Sequence, residues 1–476
     1  MKKSIGFFFL IALSGALPCL AFPPFKFWFL EWFAFVPILL LLDSKKNNLL
    51  VFISGLSAGF VFYAFSLYWI YSVAGFFYLF LAIYLAVFWG IFFSLLLSFP
   101  ANVRCIIGAG LWFFLEIIIQ YLFTGFPWLP LSLSQWAFPY TVRMVSITGS
   151  AGLSALIIAL NISIYAMIKY RKFLQFITCL TLTASAGLLS NIDFVKHGDT
   201  ATKIIAVQGN SGYFGQFPED PFEKYRNLTE TITTTCDLVV WPESSYPSIL
   251  RKDEEVFNYL INKSHQFPIL MGAMNEENGN VTNSAFYFRN GGFERYDKRH
   301  LVPFGEYVPG EKLWIVKKIY KKIYGGIPDI KPGKDSVIFN PGSKKFSVLI
   351  CFENIFSSLV QDNMENNPDF FITITNDSWY GDSSGPYQHF AHNILRATET
   401  GRFVIQVSTT GITGYATPDG KHKTLNHDNK KMFISGIMEI DIPDNNKQKN
   451  IYTRIGDIGL STIFLLLTGA CLCRKI

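Results

Sequence analysis

Hydrophobic positions dominate the chain from residue 4 to 191 and again from 455 to 473. Between these zones the pattern changes to short apolar runs separated by polar turns. Spanning a bilayer takes about 20 consecutive apolar residues. Stretches of that order fall at 4–22, 27–43, 49–71, 73–98, 105–124, 147–168, 173–191 and 455–473. The pattern therefore predicts a polytopic α-helical membrane bundle of about eight spans. It divides the chain into a bundle of about seven spans (1–194), a folded polar insert (195–450) and a last span (451–476). The N-terminus, MKKSIGFFFLIALSGALPCLAF, imitates a signal peptide, but more apolar runs follow at once, so it reads as an uncleaved first span.

Basic residues prefer the cytoplasmic ends of spans. Lys2 and Lys3, Lys45 and Lys46, Arg104, Lys169 with Arg171 and Lys172, and Arg474 with Lys475 mark every second connection. Both termini are thus expected in the cytoplasm, and the insert, which follows seven spans, on the opposite side.

Within the insert the period alternates between that of a strand and that of a helix. Strands are expected at 203–210, 237–244, 268–274, 346–353, 369–377 and 402–411, and helices at 218–235, 252–265 and 386–400. Residues 283–301 read as a hairpin turning at Asn290-Gly291-Gly292. Alternating strands and helices point to a layered α/β domain.

Composition sharpens this picture. Half of the 476 residues are hydrophobic and only 16% are charged, against about 25% in soluble domains. The net charge of +6 is modest and gives no nucleic-acid signal. Of seven cysteines, only Cys236 and Cys351 lie in the polar part.

Three expected strand ends each deliver one reactive group. Glu243 follows Asp237-Leu238-Val239-Val240-Trp241-Pro242, Lys298 follows the hairpin, and Cys351 ends Ser347-Val348-Leu349-Ile350. A thiol needs a base to become nucleophilic, and Glu243 is suited to that task. Lys298 would lower the thiol pKa and hold the oxyanion of a tetrahedral intermediate, with the backbone N–H of Phe352 as a second donor. Taken singly, each group has a plainer reading as a packed cysteine, a solvated turn or surface charge. The chemistry rests on the three together with their neighbours.

Those neighbours carry a resemblance. Trp241-Pro242-Glu243-Ser244, the run from Tyr296 to Glu306 (YDKRHLVPFGE) and Cys351-Phe352-Glu353 resemble the three motifs of the nitrilase superfamily. The run from Asn376 to Asp382, Gly385-Pro386-Tyr387-Gln388-His389, Arg396-Ala397, Glu399 and Gly401-Arg402 narrow the likeness to the apolipoprotein N-acyltransferases. Phe22-Pro23-Pro24-Phe25 with Trp28, and Gly125-Phe126-Pro127-Trp128 before Ser134-Gln135, resemble that family's membrane motifs. The resemblance implies a nitrilase-like αββα sandwich on the periplasmic side of a bacterial inner membrane. It implies ping-pong transfer of an sn-1 acyl chain from a phospholipid, through a thioester on Cys351, to the α-amino group of an S-diacylglyceryl-cysteine apolipoprotein. By the same likeness Glu306 orients the lysine and Glu353 supports the site. No cofactor or metal is expected, and a monomer is the default. The alternative is a membrane-anchored nitrilase-type amidase with water as acceptor. A transporter or structural protein with a degenerate domain is opposed by the three filled positions. Ser211, Gln406 and Thr409 depart from the family pattern.

Outside the three motifs, Trp379, Tyr380 and His389 are candidate lipid contacts. His389 and His392 are spaced as a helical ligand pair but lack a third ligand. The segment Lys312–Tyr324, KLWIVKKIYKKIY, interleaves Trp314 and other apolar residues with Lys312, Lys317, Lys318, Lys321 and Lys322. That is a basic amphipathic helix suited to an interface, and Trp314, Lys317 and Lys318 are expected to meet lipid.

Overall fold

The computed structural model describes residues 2–191, 197–211, 221–324, 329–342, 344–445 and 449–473; the basic pair Arg474 and Lys475 lies outside them. Six helices among the described residues are long and apolar enough to cross a membrane: Asn48–Ser66, Tyr68–Ser98, Arg104–Tyr121, Val145–Tyr170, Phe173–Ser190 and Ile451–Cys471. The first two expected spans appear as shorter apolar segments, Gly6–Cys19 and Trp28–Leu42. The second is broken because a 3-10 turn, Trp28–Trp32, precedes the helix Val36–Leu42, which opens with proline in its first turn.

The bundle packs through small residues. Gly55 and Gly59 lie four apart on Asn48–Ser66, and a Cβ on Gly55 would stand 2.8 Å from the Phe93 ring and 2.9 Å from Trp89 O. This close approach of backbones is how membrane helices gain contact without a hydrophobic driving force. Leu174, Leu182, Leu188, Ile458 and Leu466 point outward, exposed, as suits a surface solvated by lipid. Glu116 faces inward and accepts from Trp112 Nε1 (2.8 Å) and Leu131 N (3.0 Å).

The insert forms two sheets. One runs in the order Gly436–Asn445, His197–Gln208, Leu238–Val240, Ile269–Glu277, Asn280–Arg289, Gly292–Asp297, with Tyr246–Ile249 paired beside Ile269–Glu277. The other runs His422–Thr424, Gly414–Ala416, Phe403–Ser408, Phe370–Thr375, Phe346–Ile350, Ile338–Phe339. Their facing sides share one apolar core that includes Ile204, Val240, Tyr287, Val348, Ile372 and Ile405. Helices Pro221–Glu230 and Glu254–Lys263 cover the first sheet, with Phe222, Tyr225, Val256 and Leu260 in a second cluster. Helices Ser357–Met364 and Gly385–Thr400 cover the other. The result is an αββα sandwich.

Most expected elements occur, with differences of physical origin. The strand foreseen at 237–244 ends at Val240, because Pro242 lacks a ladder donor and Ser244 turns at φ 56. The hairpin turns at Asn290 (φ 50) and Gly291 (φ 77), which is the two-residue I′ geometry. The strand Gly436–Asn445 was not foreseen. It pairs antiparallel with His197–Gln208, Ile440 opposite Ile204, and sends Met438, Ile440 and Ile442 inward.

The outer helical layer of the second sheet does not face water. Phe352, Phe356, Ile394 and Leu395 share a single apolar cluster with Trp69, Trp89, Trp112 and Trp128 of the bundle. Gln388, fully buried, fastens the two parts. Its Oε1 accepts from Trp69 Nε1 (3.0 Å) and Trp128 Nε1 (2.8 Å), and its Nε2 donates to Ser66 O (2.9 Å). Glu399 makes a second fastening, accepting from Ser150 N (2.8 Å) while paired with Arg396 Nε (3.0 Å).

Candidate active site

The ends of strands from both sheets meet at one place. Glu243 follows Leu238–Val240, Lys298 follows Gly292–Asp297, Cys351 follows Phe346–Ile350, and Asn376 follows Phe370–Thr375. A rigid sheet with open strand ends is a suitable platform for a site. Gly272 makes room for the first of these groups, since a Cβ there would lie 2.5 Å from Glu243 Cα.

Glu243 and Lys298 are buried and held on several sides. Lys298 Nζ donates to Glu306 Oε1 at 3.0 Å and lies 3.5 Å from Glu243 Oε1. Asn283 Nδ2 bridges the same two carboxylates, at 2.7 Å to Glu243 and 2.8 Å to Glu306. Asn376 N donates to Glu243 Oε2 and Val302 N to Glu306 Oε2, both at 2.7 Å. One cation thus sits between two carboxylates whose remaining oxygens are tied to backbone. Burial opposes the charge on Lys298, but Glu306 and then Glu243 more than offset it and push its pKa up.

Cys351 is buried and begins a 3-10 turn, Cys351–Ile355, with φ 52. A left-handed non-glycine residue costs about 1–3 kcal/mol and persists only where its surroundings over-determine it. Burial pushes the thiol above its ordinary range, Glu243 adds to this, and Lys298 only partly offsets it. The resting group is a thiol that needs a base. Below a raised thiol pKa the thiolate fraction grows about tenfold per pH unit. Alkylation of Cys351 by iodoacetamide, followed by mass spectrometry, is therefore expected to rise about tenfold per unit from pH 7 to 9 without a plateau.

Glu353 is fully buried and accepts from Tyr296 OH (2.9 Å), Arg299 N (2.7 Å), His300 N (3.0 Å) and Ile350 N (2.8 Å). It stitches the Lys298 loop to the Cys351 turn without touching either reactive atom. The Phe352 ring packs against Trp128 of the bundle, with ring centroids 6.2 Å apart. Tyr380 sits edge-on to Trp69 at 4.5 Å, and burial and then the neighbouring Cys351 push its hydroxyl pKa up. Trp379 is partly exposed, with its carbonyl accepting from Ser72 Oγ (3.2 Å). Trp314, Lys317 and Lys318 stand on the exposed face of the helix Trp314–Tyr324, which is pinned through Tyr320 OH to Phe304 O (2.6 Å). His389 departs from its expected lipid contact. It is fully buried with Nδ1 on Asp377 Oδ1 (2.9 Å) and Nε2 on Cys351 O (3.2 Å), so no nitrogen is left for a ligand.

Sequence reading passed over Asn283 as a site residue. It is buried, and no local sequence feature distinguishes it from other strand asparagines. The departures from the family pattern are absorbed locally. Ser211 bonds Tyr225 OH (3.0 Å), Gln406 Oε1 accepts from Asn393 (2.5 Å), and Thr409 Oγ1 donates to Asn376 Oδ1 (2.8 Å), steadying the residue whose N–H meets Glu243.

Comparison with known proteins agrees with both halves. The pattern of the apolipoprotein N-acyltransferase N-terminal domain matches residues 14–163, and that of the carbon-nitrogen hydrolases matches 206–442. The apolipoprotein N-acyltransferase of Haemophilus ducreyi is 30% identical over 444 residues, covering 86% of this chain and 86% of that protein. The chain belongs to the apolipoprotein N-acyltransferase family. The Geobacter metallireducens member is 28% identical over 492 residues, covering 95% of this chain and 92% of its own. Among solved structures, a CN-hydrolase superfamily protein from Xanthomonas campestris aligns with 51% of this chain and 91% of its own, at 16% identity and a TM-score of 0.40. As a member of the apolipoprotein N-acyltransferase family the chain is a membrane acyltransferase, with long apolar helices joined to a carbon-nitrogen-hydrolase-type α/β domain.

Proposed function

We propose that the enzyme acylates the N-terminal S-diacylglyceryl-cysteine of apolipoproteins by a ping-pong reaction, with a phospholipid as acyl donor. The observation that carries this reading is the meeting of Cys351, Glu243 and Lys298 at strand ends whose covering layer is fused to the membrane bundle. Residues 195–450 form the catalytic domain; the basic connections of the bundle support a periplasmic side for it and cytoplasmic termini. The enzyme works as a monomer.

Glu243 takes the thiol proton as Cys351 Sγ attacks the sn-1 ester carbonyl. The developing oxyanion rests on Lys298 Nζ and the Phe352 N–H. Collapse breaks the ester C–O bond, and the leaving lysophospholipid oxygen takes the proton from Glu243. A thioester remains. The acceptor α-amine then attacks, giving its proton to Glu243. The second tetrahedral species collapses to an amide, and the thiolate sulfur leaves and is reprotonated. Glu306 and Asn283 keep Lys298 and Glu243 in register, and Glu353 holds the two loops together. Tyr380 packed on Trp69 and Phe352 packed on Trp128 limit water beside Cys351, which protects the thioester.

The test is to trap the intermediate. With phospholipid alone, intact mass should show one acyl chain on the protein, lost on neutral hydroxylamine, and then transferred to a diacylglyceryl-cysteine peptide. Release of free fatty acid with no triacylated peptide would point instead to a hydrolase. No adduct on Cys351 would sink the mechanism.

The helix Trp314–Tyr324 serves lipid entry. Trp314 sits at headgroup depth, and Lys317 and Lys318, with the other exposed lysines of the segment, meet lipid phosphates. Each lysine near an anionic surface is worth about 1 kcal/mol. Replacing Lys312, Lys317, Lys318, Lys321 and Lys322 by glutamine should raise the apparent KM for anionic vesicles about tenfold or more, with kcat retained. An unchanged KM would remove the phosphate contacts.

A further inference from the structure

The pair beneath the Cys351 turn has a hydrogen-bond pattern that fixes one of its protons. His389 Nε2 lies 3.2 Å from the carbonyl oxygen of Cys351, which can only accept. His389 Nδ1 lies 2.9 Å from Asp377 Oδ1, which already accepts from Thr375 Oγ1 (2.8 Å). Nε2 therefore carries a hydrogen and donates it to the carbonyl, while Asp377 holds the ring through Nδ1. Aromatic neighbours fix the ring plane. The ring stacks on the Trp128 indole, with centroids 5.6 Å apart and planes 20° apart, and lies perpendicular to the Tyr380 ring at 5.9 Å. Asp377 is sealed in as well, since a Cβ on Gly411 would stand 2.4 Å from its Oδ2.

The carbonyl that His389 grips belongs to the Cys351–Phe352 peptide. In a trans peptide C=O and N–H point in opposite directions within one plane. Holding the oxygen downward therefore aims the Phe352 N–H upward. That N–H lies in the first turn of the 3-10 segment Cys351–Ile355, where donors lack intrahelical partners. A hydrogen bond to the oxygen also polarises the peptide and strengthens its donor end. Upstream of Cys351, Glu353 Oε2 holds Ile350 N, in the Leu349–Ile350 peptide, at 2.8 Å. The strained turn is thus held on both sides of Cys351.

We infer that His389 and Asp377 are a positioning pair, which sets the direction and strength of the Phe352 N–H as an oxyanion donor by gripping the far end of the same peptide. This rests on the thioester reading above.

The test uses the full-length enzyme in detergent–phospholipid micelles. Asp377→Asn keeps the size of the side chain but removes the carboxyl group that holds His389 Nδ1. Single-turnover acylation of Cys351 should slow about tenfold, less than the 10²–10³ lost when an oxyanion donor is removed outright. The KM for phospholipid and the rate of Cys351 alkylation should stay within about twofold, since neither uses the oxyanion donor. Acylation at the wild-type rate, or acylation and alkylation falling together, would overturn the inference. A wild-type measurement decides the matter even where the variant does not fold. In protein with 15N-labelled histidine, Nε2 of His389 (assigned by its loss in His389→Gln, or by contact with Trp128 where that variant does not fold) should carry hydrogen at pH 7. A bare Nε2 would overturn the pair. A wild-type enzyme that forms no adduct would instead count against the thioester reading itself.

Discussion

Cys351→Ser is expected to lower acyl transfer by at least about 10⁴-fold, in line with nucleophile removal in other covalent enzymes. The substitution leaves shape almost untouched, and the buried turn at φ 52 should persist, so expression and thermal unfolding should match the parent. The loss is chemical. Burial already pushes the thiol pKa up, and a hydroxyl in the same place is a far weaker acid. The Glu243 carboxylate, matched to a thiol, would be a poor base toward it. Transfer is read as triacylated peptide by mass spectrometry, and the adduct as mass on the intact protein. A serine variant with more than a few per cent of parental transfer would show that Cys351 Sγ is not the attacking atom.

The second large effect concerns charge. Lys298→Met removes the cation that lies 3.0 Å from Glu306 and 3.5 Å from Glu243, leaving two buried carboxylates facing each other. Breaking one side of a buried pair costs about 3–5 kcal/mol, and the lost oxyanion partner should cost about 10²–10³ in rate. Both should appear together, as a lower unfolding temperature in detergent and a slower single-turnover acylation. Lys298→Arg separates the two losses. It restores charge, so stability should largely return, but the wider guanidinium cannot sit where the ammonium does and the rate should stay low. Full activity in the methionine variant would remove Lys298 from the reaction.

Much of the architecture was legible because it follows from patterns that burial enforces. Strands closed on both faces, such as Phe346–Ile350 and Phe370–Thr375, read as mostly apolar runs broken only by Ser347, Thr373 and Thr375. The helix Gly385–Thr400 carries a proline in its first turn and Gly401 in the left-handed cap position. Small strands were harder. Gly414–Ala416 and His422–Thr424 have three residues each, too few for a period to show. Gly436–Asn445 alternates well enough, and it was missed because its partner lies more than 200 residues away.

The site divides in the same manner. Glu243, Lys298 and Cys351 stood out through their motifs, and the structure brings them to neighbouring strand ends. The groups that steady them were less visible. Asn283 acts through a contact 40 residues distant, and nothing local marks an asparagine that bridges two carboxylates. His389 looked like a surface ligand because helical spacing reports a face and not what covers it.

The bond between Gln388 and the two membrane tryptophans gives the molecule a fixed geometry. Through that bond the α/β domain is keyed to the bundle as a lock plate is keyed to its door. Cys351 is then held at one level relative to the membrane helices. In the proposed reaction the lipid ester, from its leaflet, and the lipoprotein amine, from its anchor, would both have to travel to that one level.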